Sequence, residues 1–190
     1  MAMTVKRRKD VATPRVFQHK IADIRGGVSV KASELSGDYL REGSVLSAPD
    51  SNGLAHVIKV GDVYAAVGSS DTTIKLKKNH HFKVGDFVLY AIGAKASTIT
   101  AIDASNSAYD SLTIDQALGE IAVDAQVAQA AAKSTNNTSA LVYAPLALSG
   151  TGKPVDPKDN LDVDAWLIGV TKGNTLPSYI ASALSGIINF

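Results

Sequence analysis

The feature that most constrains this chain is a succession of short apolar runs between residues 20 and 100, each closed by turn residues. The runs are rich in Val, Ile, Thr and aromatic residues, which favour extended backbone. Turns such as residues 49–53 (PDSNG) and 68–71 (GSSD) separate them, because Asn and Gly tolerate positive φ and Pro presets the entry to a turn. Short strands at a spacing of roughly 8–12 residues are typical of a sandwich or barrel-like architecture.

Three patterns give more specific predictions. In residues 72–78 (TTIKLKK), Ile74 and Leu76 alternate with polar neighbours, which predicts a half-buried strand. Residues 165–173 (AWLIGVTKG) predict a buried strand that ends in a turn. The sequence KVGD occurs at residues 59–62 and again at 83–86, and we interpret both copies as a turn followed by a strand.

The C-terminal half contains one predicted helix and one ambiguous segment. Thr175 as a cap, Pro177 in the first turn and Gly186 after the end predict a short helix near residues 177–185. Residues 124–133 have high helix propensity, but their strand-like neighbours leave helix and strand open.

These patterns predict a mainly β fold of short antiparallel strands in sandwich or barrel-like packing. We expect a flexible basic N-terminal arm over residues 1–20, followed by two β subdomains at 21–105 and 106–190, the second with the short helix. A chain of 190 residues with 45% apolar residues has enough material for such cores.

Composition excludes several classes of site. The chain has no cysteine, so disulfides, thiolate metal sites and a cysteine nucleophile are excluded. No run approaches the roughly 18 apolar residues of a membrane span, and no signal-peptide core follows the basic N-terminal residues. We therefore expect synthesis in a cytoplasm, without an export signal and without a membrane partner.

The adjacent His80 and His81 are the first candidates for chemistry. Neighbouring residues on a strand point to opposite faces, so both could ligate one metal only across a bend. We therefore predict partly exposed histidines at a strand edge. The acidic loop with Asp156, Asp159 and Asp162 lacks the glycine and the terminal glutamate of a calcium loop, and GTGK at residues 150–153 lacks the Walker spacing. The sequence thus predicts no catalytic, metal or cofactor site and a protein that is not an enzyme.

The basic N-terminal residues allow two interpretations, a solvated terminus or a segment that docks on an acidic surface. The docking segment would comprise Lys6, Arg7, Arg8, Lys9 and Arg15. The alternative function is a nucleic-acid-binding β-barrel that uses this arm. The formal net charge of +1 and the scattered aromatic residues, 6% of the chain, argue against nucleic acid as a partner.

Three blocks resemble structural proteins of tailed bacteriophages that infect gut Bacteroidales, the crAss-like phages. They are residues 41–59 (REGSVLSAPDSNGLAHVIK), residues 80–114, and residues 160–190 with Trp166, Gly169 and the closing GIINF. The related proteins are described as head fibres or capsid decoration proteins, and the resemblance extends from about Val16 to Phe190.

The resemblance implies a virion protein on the outer surface of a phage head, made in the host cytoplasm. It implies a homotrimer bound to the major capsid protein or another head protein, with a host-surface glycan as a further partner. It also favours a strand rather than a helix at residues 124–133. The arm residues would then dock on an acidic surface of the capsid, with Phe17 as an apolar contact.

Overall fold

The computed structural model describes residues 15–190 and is mainly β, with several antiparallel sheets and no closed barrel in this range. The strands in chain order are β1 (Phe17–Asp23), β2 (Val28–Val30), β3 (Tyr39–Leu40), β4 (Val45–Ser47), β5 (Leu54–Ala55), β6 (Val57–Ile58), β7 (Val60–Asp62), β8 (Thr73–Lys77), β9 (Phe87–Leu89), β10 (Ala96–Asp103), β11 (Tyr109–Ile114), β12 (Gln126–Ala130), β13 (Pro145–Ser149), β14 (Lys153–Pro154), β15 (Leu161–Val163), β16 (Ala165–Thr171) and β17 (Ile187–Asn189). A 3-10 turn covers Ala32–Glu34, and the helix α1 covers Ser178–Ala183.

Two six-stranded sheets dominate the fold. The first has the order β1-β16-β13-β4-β6, with β17 parallel to β16, and the second has the order β7-β12-β9-β10-β11-β8. Two smaller sheets, β14-β3 and β15-β2-β5, complete the structure. The mainly β prediction and the short C-terminal helix are therefore confirmed.

The sheets do not divide the chain between residues 105 and 106. In the first sheet β13 and β16 pair with β4 and β1, and in the second β11 and β12 pair with β8, β9 and β7. Strands from both halves of the sequence thus lie in each sheet. Similarly, β1 begins at Phe17, so residues 17–20 belong to the sheet rather than to an arm.

Three apolar clusters hold the sheets together. One lies between the two large sheets, where Val45 and Leu148 of the first meet Leu89 of the second, and it also includes Ile180 of α1. The second cluster is built within the second sheet, and the third packs the other face of the first sheet against the small sheets. Each fully buried Leu or Ile contributes about 1.5–3 kcal/mol to folding.

Burial in β8 follows the predicted alternation, because Ile74 and Leu76 face the core and their neighbours face outward. The predicted strand at residues 165–173 is β16. The ambiguous segment forms the strand β12, with β7 on one side and β9 on the other. Ala128 and Ala130 are buried there, so tertiary pairing overrides their helix propensity.

The two KVGD copies do not share a structure, so our interpretation of them was wrong. In the first copy, residues 60–62 form β7, while in the second copy the residues precede β9 in a turn at Gly85, whose φ is 95°. The copies meet in space, because Lys59 Nζ of the first lies 2.6 Å from Asp86 Oδ2 of the second. Asp86 Oδ2 also accepts the backbone N–H of Lys83 at 2.7 Å, which closes the turn.

Candidate functional site

The predicted docking segment lies partly outside the described residues. This is the case for Lys6, Arg7, Arg8 and Lys9, while Arg15 is exposed at the start of the described chain. Phe17 is buried, with its ring centroid 6.3 Å from that of Trp166. Phe17 therefore anchors β1 in the protein's own core, while its predicted contact with another protein stays a prediction.

An exposed apolar surface lies beside the start of β1. We define the C-terminal patch as Ile168, Ile188 and Phe190, which are 43%, 63% and 66% exposed. Because Val170 pairs with Ile188, the alternation of β16 and β17 places these side chains on one face of the first sheet. Val16 O accepts the backbone N–H of Lys172 at 2.9 Å, so the chain enters β1 next to this patch.

His80 and His81 are buried, contrary to the predicted strand edge. They lie in the loop between β8 and β9 and are each only 6% exposed. Asn79 and His81 have positive φ, 69° and 61°, so the backbone turns sharply and carries both imidazoles inward.

The two imidazoles are held in opposite tautomers. His80 Nδ1 accepts the backbone N–H of Phe82 at 3.0 Å, so its proton sits on Nε2, which lies 3.2 Å from Asp110 Oδ2. His81 instead donates from Nδ1 to the carbonyl oxygen of Ser36. Backbone groups thus fix both rings, which is the arrangement of structural histidines.

Burial keeps both imidazoles neutral. Loss of solvation lowers the pKa of His80 to about 4, although the Asp110 carboxylate opposes the shift. Burial is also the main cause that lowers the pKa of His81, and the nearby Lys59 and Arg41 add to it. Lys78 Nζ pairs with Asp110 Oδ1, so that carboxylate serves two partners.

The other sequence motifs have structural roles. In GTGK, a Cβ on Gly150 would lie 2.1 Å from the Trp166 indole, and one on Gly152 would lie 2.5 Å from the Tyr39 hydroxyl. These glycines therefore allow close packing. In the acidic loop, Asp156 Oδ1 accepts the N–H of Lys158 at 3.0 Å, as in an Asx turn. Within residues 15–190 no group of three or more His, Asp or Glu side chains is arranged to hold a metal ion.

A pair of tyrosines on the surface was not predicted from the sequence. Tyr64 and Tyr109 lie 45 positions apart in the sequence, yet their ring centroids are 4.9 Å apart on the outer face of the second sheet. The local pattern contains no signal for this pair, because it depends on the pairing of β11 with β8 and of residue 64 with Lys75.

Comparisons with protein-family models, with curated proteins and with solved structures found no match. None of the helices in the described part of the chain is long and apolar enough to cross a membrane.

Proposed function

We propose that this protein is a structural virion protein, a head fibre or capsid decoration subunit on the outer surface of a phage head. The observation that carries this proposal is the C-terminal patch, which lies next to the point where the basic segment enters β1. Apolar side chains exposed together on one face are typical of a surface that is covered in an assembly.

Self-association through this patch into a homotrimer would gather three copies of the segment with Lys6, Arg7, Arg8 and Lys9 on one assembly. Four or five charges contribute a few kcal/mol per copy at low salt, and less at physiological ionic strength. Three linked copies bind far more tightly than one, because the second and third contacts form at a high effective concentration. The partner that fits is an acidic surface of the capsid lattice.

The polar interior supports a role without covalent chemistry. His80, His81 and Lys59 are engaged with Asp110, the Ser36 carbonyl and Asp86, contacts that link separate segments of the fold. The cleft beside them has a volume of about 100 Å³, which is room for roughly three water molecules.

Deletion of residues 1–15 tests the attachment step. We expect the shortened protein to keep its trimeric mass, because Phe17 and the rest of β1 remain, and to lose binding to purified heads of its phage that lack the protein. A full-length variant with Lys6, Arg7, Arg8 and Lys9 replaced by Gln should lose binding in the same way. Undiminished binding of either variant would contradict the attachment role.

The alternative, nucleic-acid binding through the same basic segment, is separated by the solution mass with and without single-stranded DNA at physiological salt. A trimer whose mass is indifferent to DNA supports the virion role. A monomer whose mass increases with DNA contradicts it.

A further inference from the structure

We propose that the outer face of the second sheet binds a carbohydrate, at a site built from Tyr64, Tyr109, Lys75 and the loop at residues 65–73. We call it the tyrosine site. This inference goes beyond the virion role and does not depend on it, because it follows from the surface alone.

The aromatic part of the site is a tyrosine pair. The rings of Tyr64 and Tyr109 are inclined by 33°, and Tyr64 is 42% exposed. Lys75 Nζ lies over the ring of Tyr109, 5.1 Å from its centroid, so the ammonium group covers part of that ring and the exposed aromatic surface is that of Tyr64.

A polar groove lies close to the tyrosine pair and shares Lys75 with it. It has a volume of about 420 Å³ and is lined by residues 65–67, 70–73 and Lys75. Its residues 65–67 directly follow Tyr64, and Lys75 belongs to both the groove and the tyrosine pair. The volume falls in the range of roughly 300–1,000 Å³ that small-molecule sites occupy.

Backbone contacts hold the groove in shape. The N–H of Tyr64 donates to Lys75 O at 2.8 Å, and Val67 exchanges hydrogen bonds with Ile121. At the tip of the loop, Asp71 Oδ2 accepts the N–H of Gly68 at 2.8 Å. A site that is already formed loses little conformational entropy when a ligand binds.

The chemistry of the surface fits a sugar. A pyranose ring carries C–H groups on its face, which pack against the electron-rich face of a tyrosine, and hydroxyl groups on its rim. The hydroxyls of Ser70, Thr72 and Thr73, the Asp71 carboxylate and the Lys75 ammonium supply both donors and acceptors for that rim.

The charge pattern disfavours a nucleic acid at this site. Single-stranded nucleic acid needs a continuous positive groove along its backbone. Here the ammonium of Lys77 is paired with Asp124 at 2.6 Å, and Asp71 adds a negative charge to the groove. The site is close to neutral, which suits an uncharged oligosaccharide.

The test is an NMR titration of the full chain with three neutral tetrasaccharides, based on glucose, mannose and N-acetylglucosamine, each up to about 10 mM. We expect saturable shifts at Tyr64, Tyr109 and residues 65–73 with at least one of them. Tyr64→Ala should weaken that binding roughly tenfold, while Tyr64→Phe, which keeps the ring, should retain it.

Val84→Ala, at an exposed position in the turn before β9 and outside both the C-terminal patch and the tyrosine site, is the control that should leave sugar binding unchanged. A titration with a ten-nucleotide oligothymidylate separates the two classes of ligand. Shifts at the tyrosine site with the oligonucleotide alone, or no saturable shifts with any tetrasaccharide, would overturn the carbohydrate proposal. Neither result depends on whether the protein attaches to heads.

Discussion

Lys59 places an ammonium group inside the protein, with its side chain only 2% exposed and Asp86 Oδ2 at 2.6 Å. Burial lowers the pKa of Lys59, and the Asp86 carboxylate opposes that shift. The pair joins residues 27 positions apart and fixes the turn before β9 to the strand β7 that follows Lys59. Without the Asp86 carboxylate, the Lys59 ammonium would be a buried charge without compensation.

Removal of the Asp86 carboxylate should therefore destabilise the fold. We expect Asp86→Asn to lower the free energy of unfolding by about 3–5 kcal/mol, measured by urea denaturation at pH 7. The matched control is Asp124→Asn, because the Lys77–Asp124 distance is also 2.6 Å but both side chains are exposed. That pair should contribute only about 0–1 kcal/mol. Equal decreases in the free energy of unfolding of the two variants would show that burial does not determine how much an ion pair contributes to stability.

The loop between β8 and β9 connects segments that are distant in sequence through its two histidines. His80 faces Asp110 of β11, with Lys78 and His81 as neighbouring charged or titratable groups, and His81 contacts the carbonyl of Ser36. Since both imidazoles are buried in the neutral form, protonation must remove them from these positions or place a charge in the core. The loop is therefore the element in which acid should first weaken the fold.

The direction of the pH dependence of stability follows from the lowered pKa of His80. His80 takes up a proton near pH 6.5 in the unfolded chain and near pH 4 in the folded protein. Its contribution to the free energy of unfolding is therefore fully present above pH 6.5 and is lost as the pH falls from 6.5 to 4. We expect a loss of about 3 kcal/mol from His80 by pH 4. Urea denaturation between pH 7 and 4 should show a shallower dependence for His80→Gln. An unchanged slope in His80→Gln would contradict the assignment.

The same elements show how far the sequence predicts the fold. The strand β8 follows from local alternation. The helix α1 lies where it was predicted, but its N-cap is Pro177 rather than Thr175, without a side-chain cap hydrogen bond. The strand β12 does not follow from local patterns, because its alanine-rich sequence favours a helix until β7 and β9 pair with it. The burial of His80 and His81 depends on Asp110 and Ser36, at least 30 positions away, so an alternation pattern could only place them at a strand edge.

At the scale of the whole molecule, the order of the strands in the sheets could not be predicted from local sequence patterns. Each large sheet takes strands from both halves of the chain, which explains why a boundary near residue 105 matches no break in the sheets. The tyrosine site is a product of this interleaving, since Tyr64 and Tyr109 come from different halves of the chain, whereas the C-terminal patch combines the neighbouring strands β16 and β17. No local sequence pattern marks the residues of these two surfaces, because they come together only when the strands pair into sheets.

The C-terminal patch supports the last prediction, which concerns assembly. We expect the wild-type protein to have the mass of a trimer by light scattering and Ile188→Glu to shift it toward the monomer, because a carboxylate would be buried in an apolar contact. Val84→Glu is the matched control, since Val84 is 61% exposed and Ile188 is 63% exposed, but Val84 lies in the turn before β9. Loss of one buried isoleucine costs about 1.5–3 kcal/mol per contact, which is enough to weaken association more than tenfold. A wild-type monomer, or a trimer that Ile188→Glu leaves intact, would show that this patch is not the contact between copies.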